Sequence, residues 1–280
     1  MIASDPSAAL RIRAGARFSF ETSAPTAAVF IIGPDPGAAT VLEERWDLEP
    51  TARSHEYLDV YGNRCRRMVL PAGTSDLAYD VLVDIPDELD AYAPDAPEVP
   101  AADLPDNALL YTLASRFCPS DEMFAPAIER FGSLQPGWGR VQAIVDFCHD
   151  HLTFGYGSST PTTTAADVLA SGRGVCRDFA HLAIALCRAL NVPARYAFGY
   201  LPDIDVPPPG PMDFCAWFEA YLGDRWYIFD PRNNERRRGR VTIARGRDAL
   251  DVAMVTTYGA ASLRSMTVIA DRADDARPQA

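Results

Sequence analysis

The sequence predicts an α+β protein: a β-sandwich-like N-terminal module, then a core in which helices precede an antiparallel sheet. Three observations carry this. Residues 10–85 form short runs of apolar alternation broken by Gly, Pro, Asn and Asp, the pattern of strands and tight turns. Residues 137–190 place apolar side chains at three- and four-residue spacing, the pattern of helices with one buried face. Residues 194–269 return to strand-like runs, so helices and strands are segregated rather than alternating.

Taken in order, Ile12 to Phe20 alternates, with Ile12, Ala14, Ala16, Phe18 and Phe20 on one side. Ala28 to Ile32 is a second strand, closed by the turn signal Gly33-Pro34-Asp35-Pro36-Gly37. Further strands are expected at 41–48, 55–60, 65–70 and 78–85, with a hairpin turn at Gly62-Asn63. A stretch rich in Pro, Asp and Ala follows and reads as a surface linker. Domains are therefore expected at 1–90, 91–107 (linker) and 108–280. Helices are expected at 107–117, 121–131 and 137–154, with a short one from Thr162 to Leu169. After a glycine loop a longer helix starts near Cys176, and Asn191-Val192-Pro193 ends it. Strands follow at 194–200, 214–222, 226–229, 241–244, 252–257 and 266–269, and the last ten residues are polar and expected to fray.

Composition narrows the function. A net charge of −12 over 280 residues excludes nucleic acid and an anionic membrane surface as main partners, because both require a basic footprint. All 26 basic residues are arginine. Met1 to Pro6 shows no leader pattern, and no apolar run reaches membrane-spanning length. The six cysteines are scattered without a C-x-x-C pair, which fits reduced thiols and a cytoplasmic location. No cofactor and no metal is expected, and the oligomeric state is left open.

The chain is organised around Ser171-Gly172-Arg173-Gly174-Val175-Cys176-Arg177-Asp178-Phe179-Ala180-His181. A glycine loop running into a helix puts the thiol at a helix N-terminus. There, unpaired N–H groups and the helix dipole favour thiolate, and Arg173 and Arg177 add positive charge. His149 and His151, two residues apart on one helix, point about 200° apart and cannot share a metal ion. Surface or cap roles are expected for them, and a structural or surface role for His55.

Four segments resemble the bacterial transglutaminase-like superfamily of cysteine protease-like proteins. They are Gly174–His181, Asn191–Tyr196, Ala216–Leu222 and Trp226–Asn234. The resemblance implies a papain/transglutaminase-like core, with a nucleophilic cysteine on a central helix and partners from the following strands. The family's chemistry is acyl transfer through a thioester, toward an amine or water. It implies Cys176 as nucleophile and Asp230 as acid. The family places its histidine immediately before Ala-Trp, whereas this chain has Cys215-Ala216-Trp217. His181 matches a different position, about 140° around the helix from the thiol, and is expected to be buried and structural.

The expected catalytic set is therefore Cys176, Cys215 and Asp230, with Trp217, Arg177 and Gly174 assigned to substrate contact. Arg195, Arg232 and Asn233 could meet an anionic or amide group but read as solvated or structural. The loop from Pro207 to Pro211 could border the cleft. The leading expectation is a thiol enzyme acting on a peptide, amide or small-molecule acyl substrate by hydrolysis or transfer. Three alternatives stand beside it: an inactive binding protein, a two-thiol acid/base (isomerase-like) site, and a metal or redox pair formed by Cys176 and Cys215.

Overall fold

Alternating burial shapes the first half of the chain. The computed structural model describes residues 9–208 and 210–273. Six strands come first: β1 (Ala9–Thr22), β2 (Thr26–Phe30), β3 (Thr40–Glu49), β4 (Ser54–Leu58), β5 (Arg64–Leu70) and β6 (Gly73–Pro86). Next are α1 (Asp106–Leu109), α2 (Phe124–Phe131), α3 (Trp138–His151), β7 (Thr153–Phe154), α4 (Ala165–Ser171), β8 (Arg173–Gly174) and α5 (Cys176–Ala189). The chain continues through β9 (Ala194–Tyr200), β10 (Cys215–Leu222), β11 (Arg225–Phe229), β12 (Val241–Gly246), β13 (Val255–Thr257) and β14 (Ala261–Arg272). The leader reading at Met1–Pro6, Pro209 of the proline loop, and residues 274–280 of the tail lie outside the described residues; Asp271 and Arg272 end a strand.

Two four-stranded antiparallel sheets, β14-β1-β6-β3 and β13-β2-β5-β4, form the N-terminal sandwich. Leu10, Ile12, Ala14, Ala16, Phe18 and Phe20 of β1 and Leu77, Tyr79, Val81, Val83 and Ile85 of β6 are buried, as the period of two requires. Each large apolar side chain removed from water there stabilises the fold by roughly 1.5–3 kcal/mol. The last two strands correct the expected layout. β14 pairs with β1, and β13 with β2, so the C-terminal segment completes the N-terminal sheets instead of the core's own sheet. Strand propensity marks them as strands but carries no information about which edge they join.

The core sheet is β11-β10-β9-β12. α5 packs on β9 and β10 and is flanked by α2, α3 and α4. Every residue of α5 from Asp178 to Ala189 is buried, as expected of a helix enclosed on all sides. The helix expected at 107–117 is shorter. It comprises α1 and a 3-10 turn at Leu110–Thr112, because buried Arg188 takes the next polar groups, donating to the Leu113 carbonyl and Ser115 Oγ. After α3 the two residues of β7, Thr153 and Phe154, pair in parallel with Arg173 and Gly174, fixing Phe154 beside the loop that precedes α5.

Sandwich and core share one apolar cluster, within which Phe18 stacks on Phe214. Tyr200 Oη donates to the Ile32 carbonyl at 2.9 Å, and Arg245 bridges Asp35 of the first half to Glu219 of β10. The proline-rich stretch runs over the surface and is tied to the core by hydrogen bonds. Trp138 N–H donates to the Ala96 carbonyl (2.9 Å), Gly223 N–H to the Pro97 carbonyl (2.8 Å), and Arg140 pairs with Glu98. Among the described residues no helix is long and apolar enough to cross a membrane.

Candidate active site

Close packing in the glycine loop sets the position of Cys176. Gly172, at φ 67°, closes α4 in the left-handed conformation glycine favours. At Gly174 a Cβ would lie 2.7 Å from Asp178 Cβ, so only glycine lets the loop approach the first turn of α5. Asp178 Oδ2 then accepts from the Val175 N–H at 2.8 Å and caps the helix start. Cys176 is the first residue of α5. Its S–H lies 3.8 Å from the Phe214 carbonyl, and backbone N–H groups of Ala216 and Arg177 face the sulfur.

The thiol opens into a cavity of about 520 Å³, walled by Phe154, Tyr156, Phe198, Phe214 and Met254 among others. Burial pushes Cys176 up to about 11, with Asp213 adding to the rise; the Ala216 N–H and Arg232 oppose it without overcoming it. This corrects the expected thiolate. The helix terminus is present, but Arg177 is turned onto Asp178 (2.9 Å) and the Thr160 carbonyl (3.0 Å), and Arg173 is exposed.

Cys215 opens β10 opposite Gly199 and lines both this cavity and a neighbouring one of about 330 Å³. It is buried, and burial followed by nearby Asp230 and Cys176 holds it well above the ordinary thiol range. Its S–H is directed to the Ala216 carbonyl (3.8 Å), not to Asp230. Asp230 directly follows β11 and is fully engaged. Its Oδ1 accepts from the Asn233 N–H (3.0 Å), and its Oδ2 accepts from Asn233 Nδ2 (2.8 Å) and Arg240 Nη2 (2.9 Å). Arg240 Nε in turn reaches Asp90 at 2.9 Å.

The structure thus brings Cys176, Cys215 and Asp230 into one neighbourhood but leaves Trp217 out of the cavity wall. That indole is fully buried under the Arg240 guanidinium, 4.8 Å from its ring centre. Gly174 is buried behind the loop, and Arg177 lines the cavity with its guanidinium already bonded. Arg195 pairs with Glu219 (2.7 Å) and Asn233 serves Asp230, whereas Arg232 reaches both cavities. Of the proline loop, Gly210 and Pro211 border the smaller one. Tyr156 and Asp213 are cavity residues that the sequence reading missed. The Tyr156 hydroxyl donates to the Asp213 carboxylate, and Asp213 Oδ1 also accepts from the Phe214 N–H at 2.7 Å. An acid two positions before Cys215 is the one signal that could have marked Asp213.

The histidines hold structure. His149 Nδ1 donates to the Arg232 carbonyl (3.0 Å), and His151 Nε2 to the Leu169 carbonyl (2.8 Å). His181 is buried, stacks on Phe117, and accepts the Ala249 N–H on Nε2 at 3.1 Å. Burial, then Arg177, lowers it to about 3, so it stays neutral where an unfolded histidine near 6.5 takes up a proton. Below 6.5 the unfolded chain binds the extra proton, so this contribution is complete above 6.5 and declines as pH falls toward 3. The slope from this group reaches roughly 1.4 kcal/mol per pH unit. Urea unfolding of His181→Phe across that range is expected to show a flatter pH dependence than the parent. Parallel curves would remove His181 as the source.

A central helix that carries a thiol at its start and packs on an antiparallel sheet is the arrangement of a transglutaminase-like core. The chain belongs to the transglutaminase-like superfamily. That family's sequence profile matches residues 128–231, which include Cys176, Cys215 and Asp230. A crystal structure described as a "Putative Cysteine Protease from Cytophaga hutchinsonii" superposes with TM-score 0.88 at 32% identity, covering 97% of this chain and 93% of that one. The uncharacterized protein ML0607 of Mycobacterium leprae is 26% identical over 223 residues, 76% of this chain and 79% of its own length. Rv2569c of Mycobacterium tuberculosis, also uncharacterized, is 37% identical over 113 residues, 36% of this chain and 35% of its own.

Proposed function

We propose that this chain is a cysteine-dependent acyl-transfer enzyme, an amide hydrolase or acyltransferase, in which Cys176 forms a thioester. Exposure carries the reading. Of the six free cysteines five are buried, and only Cys176 is partly exposed, in the wall of the cavity of about 520 Å³. In the first step the Cys176 sulfur bonds to the acyl carbon, the carbon–nitrogen bond breaks, and the amine leaves with the thiol proton. Water or an amine then attacks the thioester, the carbon–sulfur bond breaks, and a proton returns to sulfur. Cys215 stands beside the reacting sulfur as a neutral thiol, and Asp230, outside both cavities, is held by Arg240 and Asn233. A peptide, amide or small acyl compound is the partner. Free thiols throughout suit a reducing cytoplasm. Among the described residues no three His, Cys, Asp or Glu form a group that could hold a metal ion.

The raised thiol makes this reading testable by pH. At pH 7 Cys176 is expected to react with iodoacetamide more slowly than free cysteine, and the rate should climb with pH until about 11. A thiolate–imidazolium pair would instead give a plateau near neutrality. Incubation with p-nitrophenyl acetate at pH 9, followed by peptide mass mapping, is expected to find the acyl group on Cys176. An adduct mapped only elsewhere, or none, removes the thioester reading.

A further inference from the structure

The larger cavity is lined by three charged side chains, and two of them are already occupied. Arg177 is bonded to Asp178 and Thr160, and Asp213 to Tyr156 and the Phe214 N–H. Arg232 is the exception. Among the described residues its guanidinium has no carboxylate within ion-pair reach and no hydrogen-bond acceptor, although the chain carries a net charge of −12.

It is nevertheless held in place. The guanidinium lies 4.0 Å over the Phe154 ring, and its own carbonyl accepts from His149. Phe154 is fixed in turn by its pairing with Gly174. Arg232 also lines the smaller cavity, so it stands where the two meet, as Cys215 does. A preorganised arginine with its fork of N–H groups unused is the group that receives a carboxylate through two parallel hydrogen bonds. Little ordering is left to be done when the ligand arrives.

We infer that the cleft takes an apolar amide bearing a free carboxylate close to the bond that is cut, and that Arg232 receives that carboxylate. This rests on the acyl-transfer reading of Cys176. The apolar acyl portion lies in the larger arm against Phe198, Phe214 and Met254, and the carboxylate meets Arg232 at the junction. An N-acyl amino acid and the C-terminal end of a peptide share this chemistry.

Binding tests it independently of turnover. The full chain carrying Cys176→Ala is titrated calorimetrically with N-acetylphenylalanine and its C-terminal amide, and with a tetrapeptide ending in phenylalanine as acid and as amide. The acids are expected to bind roughly tenfold or more tightly than the amides, and Arg232→Gln should erase the difference. Peptide acid binding alone assigns the site to peptide ends, whereas binding of both acids assigns it to the shared terminal unit. Equal affinity of acid and amide in the Cys176→Ala protein overturns the proposal, and needs no Arg232 variant to do so. An acid preference that survives Arg232→Gln overturns the role of Arg232. Thioester formation on Cys176 is read separately, so either result leaves the fate of the nucleophile distinguishable.

Discussion

Cys215→His is expected to speed alkylation of Cys176 at pH 7 by roughly 10²-fold and to replace its rising pH profile with a plateau near neutrality. Position 215 is where an imidazole can serve this sulfur. It opens β10 beside the Phe214 carbonyl that takes the Cys176 S–H, and it faces both cavities, so a ring has space to project. With Cys176 near 11, thiolate at pH 7 is only about 10⁻⁴ of the total. A neighbouring imidazolium removes most of that penalty. A thiolate of lower pKa is also intrinsically less nucleophilic, by about half the exponent, which leaves a net gain near 10². Asp230 acts electrostatically on position 215 and would favour the imidazolium, even though its own hydrogen bonds go to Asn233 and Arg240. Cys215→Ser is the control: it removes a thiol without adding a base, and the parent's rising profile should persist. A Cys215→His protein that folds and still alkylates like the parent would show that imidazole at 215 does not reach the sulfur.

Much of this arrangement is legible in the sequence, for reasons that differ by residue. The faces of β1 and β6 follow from a period of two, and α5 from its apolar spacing and the glycine loop before it. The loop also fixes Cys176 at the helix start, because Gly174 alone permits the close approach of Asp178. The protonation of that thiol is not legible. Helix termini and nearby arginines are visible in the chain, but whether Arg177 points at the sulfur or at Asp178 is decided by packing. Trp217 shares the face of β10 that Cys215 occupies, opposite to Ala216, but lies two residues further along the strand, beneath Arg240 and outside the cavity. Asp90 and Arg240 are 150 residues apart and are joined only by how the proline-rich stretch docks. β14 finds β1 from the far end of the chain. Local patterns specify elements and faces; long-range pairing and the partner chosen by each charge depend on the whole fold.

Arg240 is the charge whose loss should cost most. Its side chain is buried, with Nε on Asp90 at 2.9 Å and Nη2 on Asp230 at 2.9 Å, and its plane covers Trp217. The Asp230 carboxylate is buried and that of Asp90 largely so, so removing the cation leaves two negative charges in a poorly solvated pocket without their shared partner. Arg240→Met is expected to destabilise the protein by about 3–5 kcal/mol, the usual cost of stranding one side of a buried ion pair. For a chain of this size that is a fall in melting temperature of roughly 6–20 °C. Two further variants separate the charge from the packing. Arg240→Lys keeps a cation but as a single point that cannot fork to both acids, so it should recover only part of the loss. Asp90→Asn with Asp230→Asn in the Arg240→Met background removes the stranded charges and should recover more than lysine does. If Arg240→Met melts within a degree or two of the parent, the pair is solvated and the argument fails. If the neutralised triple variant is no more stable than Arg240→Met, the loss comes from uncovering Trp217, not from charge. In the expected outcome, the acid at the family's catalytic position serves this chain as an anchor between β11 and the segment carrying Asp90. With a thiol rather than a ring at 215, Asp230 has no imidazole to orient, and its carboxylate bonds go to Asn233 and Arg240.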